Sequence, residues 1–166
     1  MTYSRLLNNI SKLFGEKYVI DEQIVYVKVN KDKYFEIARY LRDKGFNRLL
    51  TVSVIDWVRR GVFEVYFLVY SFNVNAYVKV STEIPRDKPE IESLHPIWEN
   101  AAMHEREAWE LFGVVFKGNP MLKPLFLEDW KELPPFRKDF DWRKYVAKEY
   151  GLRYPLTPRL IISKKK

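Results

Sequence analysis

Residues 49–81 read LLTVSVIDWVRRGVFEVYFLVYSFNVNAYVKVS, and how this stretch is parsed decides the fold. Three runs rich in β-branched and aromatic residues, over 49–58, 63–72 and 76–81, predict strands. Arg59, Arg60 and Gly61 separate the first pair, and Asn73 to Asn75 the second. Connections this short join antiparallel neighbours, so the runs form successive hairpins. The first two are apolar on both faces for much of their length. One face then meets helices, and the other meets a loop or another chain.

Upstream, residues 18–20 and 24–29 look extended, the second with Tyr26 and Lys28 interleaved among valines. Between them and the hairpins, Tyr34, Ile37, Ala38 and Leu41 recur at helical spacing. Asn30 is the candidate N-cap, and Gly45 stands where a left-handed C-cap residue is favoured, with Phe46 free to pack back. Residues 2–14 suit a short opening helix with Leu6, Leu7, Ile10 and Phe14 on one face.

Downstream, residues 84–96 carry three prolines and read as a connection. A helix follows over about 97–112, closed by Gly113. At 100° per residue, Trp98, Ala101, Ala102, Ala108, Trp109 and Phe112 share one face, and Glu105 lands in the middle of it. Arg106 is on the flank and Glu107 points nearly opposite. A carboxylate on a buried stripe is costly unless paired and hydrogen-bonded. Arg137 and Lys138 are its candidate partners within the chain, and a contact to another subunit is the alternative. Past Gly113, Pro120, Pro124, Pro134, Pro135, Pro155 and Pro158 break regular structure, and only 142–150 holds a short helix. The expected architecture is α+β: a small, mainly antiparallel sheet packed with helices over 1–113, then an extended, proline-rich, basic arm over 114–166 that docks on a partner.

Charge supports that division. Residues 1–100 hold 15 basic and 13 acidic groups, whereas 101–166 hold 14 and 9, so most of the net +7 lies in the arm, which ends in Lys164, Lys165 and Lys166. Such a tail suits nucleic acid, an anionic membrane surface or an acidic protein, and a solvated tail is the plain alternative. No uncharged stretch reaches the roughly 20 apolar residues of a spanning helix, and no secretory signal is visible.

Chemistry is sparse. With no cysteine, thiolate zinc and iron–sulfur ligation are excluded. His95 and His104 are the two histidines; His104-Glu105 starts like a zincin helix, but position 108 is Ala108. The six glycines match no phosphate loop, and no serine has the flanking glycines of a nucleophile elbow. The strand aromatics lack the paired pattern of an RNA-binding sheet. The residues therefore point to a chain with no catalytic, cofactor or metal site of its own. A free-standing basic module for nucleic acid or acidic proteins is the second reading.

The helix carries a further signal. Glu105-Arg106-Glu107-Ala108-Trp109-Glu110-Leu111-Phe112-Gly113-Val114-Val115-Phe116 resembles the signature of the 30-kDa subunit family of respiratory complex I. Gly118-Asn119-Pro120-Met121-Leu122 and Arg137-Lys138-Asp139-Phe140 continue the likeness. Upstream, so do Asp56, Phe63-Glu64-Val65, Ser93-Leu94 and Ile97-Trp98. It departs at Glu110, where the family has aspartate, at Lys123 and Pro124, where it has paired arginines, and at Leu133-Pro134-Pro135-Phe136. The resemblance implies a cofactor-free subunit on the cytoplasmic face of the cell membrane, held there only through partners. These would be a large catalytic subunit and a small iron–sulfur subunit, housing iron–sulfur clusters and, in energy-converting hydrogenases, a nickel–iron centre. It places the assembly interface at Glu105, Arg106, Glu107, Trp109, Phe112, Gly113, Pro120, Arg137, Lys138 and Asp139. Length and lysine content lean toward the hydrogenase branch and a thermophilic source.

Overall fold

A computed structural model describes residues 8–10, 12, 18–21 and 24–151. The helix expected over 2–14 falls largely outside these, although residues 8–10 and 12 are helical and Ile10 is fully buried. Tyr154, Pro155, Pro158 and the terminal lysines also lie outside.

A five-stranded sheet organises the chain. Its strands are β1 (Tyr18–Asp21), β2 (Ile24–Lys28), β3 (Arg48–Trp57), β4 (Val62–Ser71) and β5 (Ala76–Pro85), in the spatial order β1-β2-β5-β4-β3. The two expected hairpins are present: β3 pairs with β4 and β4 with β5, both antiparallel. Gly61 at φ +67° and Asn75 at φ +51° take the left-handed conformations that these turns require. β2 instead runs parallel to β5, Ile24 opposite Tyr77, and carries β1 with it.

The link from β2 to β3 contains helix α1 (Tyr34–Asp43). Asn30 does not cap it: a 3₁₀ turn, Lys31–Lys33, intervenes, and the Asn30 side chain makes no capping bond. The other end behaves as expected. Gly45 at φ +90° donates its N–H to Arg42 O and Phe46 donates to Leu41 O, the crossed pair of a Schellman motif, and Phe46 is fully buried.

Helix α2 (Ala101–Phe112) begins later than the periodicity suggests. Residues 97–100 form the turn before it, in which Ile97 and Trp98 both donate to Leu94 O. Trp98 still reaches the core: its indole N–H bonds Phe46 O at 3.2 Å, and its ring lies 5.8 Å from Phe67. Val52, Val54, Phe63, Val65, Phe67, Val69, Val78 and Val80 line the sheet face that meets Tyr34, Ile37, Leu41, Ala101 and Ala108.

Two short strands were not anticipated. β6 (Glu90–Glu92) pairs in parallel with β7 (Val115–Lys117), and Val114 and Phe116 are buried in the core. Residues 118–141 contain neither helix nor strand, and α3 (Trp142–Tyr150) follows. Asp141 caps α3 by accepting from the N–H groups of Arg143 and Lys144, and no α3 residue is buried.

Candidate functional site

Three carboxylates, all on the domain, hold the segment after Gly113 in place. The first is Glu105, 0% exposed. The expected partners, Arg137 and Lys138, do not reach it. Instead it accepts from the Ser93 hydroxyl and the Leu94 N–H, both at 2.6 Å, and from Asn119 Nδ2 at 2.8 Å. Neutral donors thus replace the cation that charge-matching suggests. Burial raises the Glu105 pKa, and the three hydrogen bonds offset this only in part. Tyr34, fully buried, is also raised, by its own burial and by the charge of Glu105. Asn119 ties the knot further: Nδ2 also donates to Ala102 O, and Oδ1 accepts from Met121 N–H. Asn119 is followed by Pro120, which is exposed.

The second carboxylate is Glu110, which lies beside Arg106 at the i, i+4 spacing that puts two side chains on one helix face. Glu110 gathers the N–H groups of Leu125, Phe126 and Leu127 at 2.8–3.1 Å. Partial burial works to raise its pKa, but these bonds prevail and leave it lowered. Arg106 donates through Nε to Lys123 O at 2.7 Å and through Nη2 to Pro124 O. The residues that replace the family's paired arginines are therefore anchored by their carbonyls rather than their side chains.

The third is Asp56, at the end of β3 on the core face. Arg86 Nε lies 2.8 Å from Asp56 Oδ1, and Nη2 bonds both Asp56 at 3.1 Å and Asp139 Oδ1 at 2.8 Å. Asp56 also accepts the Lys138 backbone N–H at 2.8 Å, and Arg137 Nε meets Asp139 at 3.2 Å. Both guanidiniums lie over the Phe63 ring, at 5.2 and 5.5 Å. Partial burial opposes the charges, yet Asp139 is lowered by Arg86 and Arg137, and Arg86 is raised by Asp139 and Asp56.

Of the anticipated interface residues, Arg137, Lys138 and Asp139 converge on Asp56, while Glu105 and Arg106 hold the segment from 119 to 124. Phe112 stacks edge-on between Phe63 and Phe136, and Trp109 packs half-buried on the core. Gly113, at φ +80°, is the left-handed helix cap, and a Cβ there would come 3.0 Å from Pro134. Glu107 is exposed and stands apart. Arg86 is not among the residues expected from the sequence, although a signal for it exists: alternation puts Asp56 on the buried face after Val52 and Val54, and a buried acid calls for a cation.

Beyond these anchors the segment presents apolar surface. Phe126 is 64% exposed, Phe136 58% and Trp142 46%, with Leu133 also exposed. Trp109, Pro124, Leu127, Trp130 and Pro134 line a groove beside the end of α2. Among the described residues, no group of three or more histidine, aspartate or glutamate side chains is placed to hold a metal, and no helix is long and apolar enough to cross a membrane.

Comparison with known proteins shows the family and the fold. The family model described as respiratory-chain NADH dehydrogenase, 30 Kd subunit, matches residues 27–146. One subunit of the F(420)H(2) dehydrogenase of Methanosarcina mazei is 38% identical over 119 residues, 68% of this chain and 73% of that protein. One subunit of the NADH-quinone oxidoreductase of a Roseiflexus species is 34% identical over 118 residues, covering 68% of this chain and 67% of the relative. Among solved structures, a chain of the membrane-bound sulfane sulfur reductase, an archaeal respiratory membrane complex, superposes with a TM-score of 0.81. The identity is 26%, over 92% of this chain and 93% of that one. A trypsin-resistant fragment of Nqo5, at 23% identity and TM-score 0.63 over 70% of this chain and 96% of the fragment, shares the fold.

Proposed function

Since this chain belongs to the family of the respiratory-chain NADH dehydrogenase 30-kDa subunit, we propose that it is a non-catalytic core subunit of a membrane-bound oxidoreductase complex. In this reading it sits in the peripheral arm on the cytoplasmic side and reaches the membrane only through partners. Those partners are a large catalytic subunit and a small iron–sulfur subunit. They carry the iron–sulfur clusters and, in a hydrogenase-type complex, a nickel–iron centre, while this chain holds no cofactor.

The observation that carries the proposal is the pre-shaped segment from 119 to 142. Arg106, Glu110 and Asp56 bond its backbone, Glu105 holds the Asn119 side chain, and Phe126, Leu133, Phe136 and Trp142 are left exposed. A segment already ordered and rich in proline loses little entropy on docking. Phe126, Phe136 and Trp142 are suitable anchors for partner pockets. Holding neighbouring chains rigidly serves a redox complex because electron transfer falls steeply with distance.

Affinity purification of the full-length chain from gently solubilised native membranes tests this. Co-elution with a large catalytic subunit and an iron–sulfur subunit is expected. Recovery solely from the soluble fraction, bound to RNA, would favour the basic-module reading instead and discard this one.

A further inference from the structure

The sheet has a second face, opposite the one that α1 and α2 cover. β3, β4 and β5 alternate buried with half-exposed residues. The half-exposed residues include Ile55, Tyr66, Leu68, Tyr70, Tyr77 and Lys79, with Thr51, Ser53, Glu64 and Glu83 toward the edges, and Tyr26 joins them from β2. None of these belongs to the core cluster or packs against it. Trp57 at one end and Phe72 at the other are exposed. Four strands of this length span roughly 600 Å² at ordinary strand spacings. That is close to the 800 Å² or so that each partner contributes to a standard interface.

The charges on this face point to one kind of occupant. Glu83 pairs with Lys28 and Arg60, each at 2.5 Å, and Glu64 accepts the Trp57 indole N–H. Lys79 stands at the centre with its Nζ 4.1 Å from the Tyr66 ring and 5.9 Å from the Tyr26 ring. Among the described residues no carboxylate pairs with it. A cation held between aromatic rings, with no carboxylate of its own, is complementary to an acid presented among apolar residues.

Other occupants fit less well. A second copy laid face to face about a twofold through the sheet centre would set Lys79 against its own image. Nucleic acid needs unstacked rings and an excess of cations. Here Tyr70 is already packed on Tyr77 at 4.6 Å and on Phe72 at 4.9 Å, and Lys28 and Arg60 are both engaged by Glu83.

We infer that the open sheet face is a second docking surface, separate from the arm, for a partner protein that places one Asp or Glu over Lys79 within an apolar contact. This rests on the subunit reading for where the partner is found. The test uses the full chain, with a photoreactive benzoyl-phenylalanine at position 68, expressed in its own cells and isolated in the assembled complex. Irradiation is expected to cross-link it to another polypeptide, at a segment with an acid among apolar residues. Lys79→Glu is expected to lower the yield of assembled complex about tenfold, Lys79→Arg to leave it near normal, and the free Lys79→Glu chain to melt like the parent. A normally assembled complex in which position 68 cross-links nothing, a second copy, this chain's own residues or nucleic acid would overturn the inference and leave the arm's role standing. Recovery of the parent chain outside any complex would overturn both.

Discussion

At the scale of the residue, two glutamates five positions apart on one helix carry opposite electrostatic signatures. Glu105 is desolvated and has a raised pKa, whereas Glu110 is lowered by the three amides that it collects. A raised acid contributes stability that is full below its unfolded value and is lost as pH rises through the folded one. A lowered acid contributes stability that is present above its unfolded value and is lost as pH falls through the folded one. The stability of the parent relative to Glu105→Gln should therefore be greatest in acid and shrink as pH climbs beyond the usual carboxylate range. Relative to Glu110→Gln it should be greatest near neutrality and shrink in acid. Denaturant unfolding at pH 4 and pH 7 checks both, and parallel trends for the two variants would refute the assignment. Glu105→Ala should cost about 2–4 kcal/mol at neutral pH, because it strands the buried donors of Ser93, Leu94 and Asn119. The buried position of Glu105 was legible from a 100° helical plot, since burial follows from periodicity. Its partners were not: a search for opposite charge passes over a serine hydroxyl, a backbone amide and an asparagine, none of which stands out in composition.

At the scale of the element, Arg86 is the pin between sheet and arm. It joins β3, through Asp56, to residues 137–139. The Asp56 side chain is 1% exposed, so Arg86→Ala leaves a buried carboxylate without its cation. A loss of about 3–5 kcal/mol is expected, together with faster trypsin cleavage at Lys131 and Lys138. Arg86→Ala with unchanged unfolding and unchanged cleavage would show that the arm is held elsewhere. The hairpins and α1 could be read locally because alternation, turn residues and Gly45 sit within a few positions of what they specify. β6 and β7 could not. Each is three residues long, and their parallel pairing joins segments on either side of a helix, so neither has a pattern long enough to register. The later start of α2 has a similar origin: apolar periodicity runs on through Ile97 and Trp98, but the chain there forms a turn on Leu94.

At the scale of the molecule, the core forms without α3, and the proposed arm contact lies largely outside that core. α3 buries nothing and meets the rest through the Trp130, Phe140 and Tyr145 rings and the Lys148–Glu132 pair. Ending the chain after Asp141 should therefore cost no more than about 2 kcal/mol, measured by thermal melting, while reducing recovery in the complex several-fold. A truncated chain that failed to fold would contradict this division. The parallel pairing of β2 with β5 has a consequence for synthesis. Translation delivers Ile24–Lys28 first, yet its strand partner in the main domain, Ala76–Pro85, is the last strand of the second hairpin to leave the ribosome. The nascent chain can close β3, β4 and β5 locally, while the N-terminal ribbon waits, apolar and exposed, for the last strand of the set. Val65→Ala should accordingly slow refolding, and Val25→Ala should chiefly speed unfolding. Stopped-flow chevrons of the two variants would reveal the order in which the sheet is sewn together.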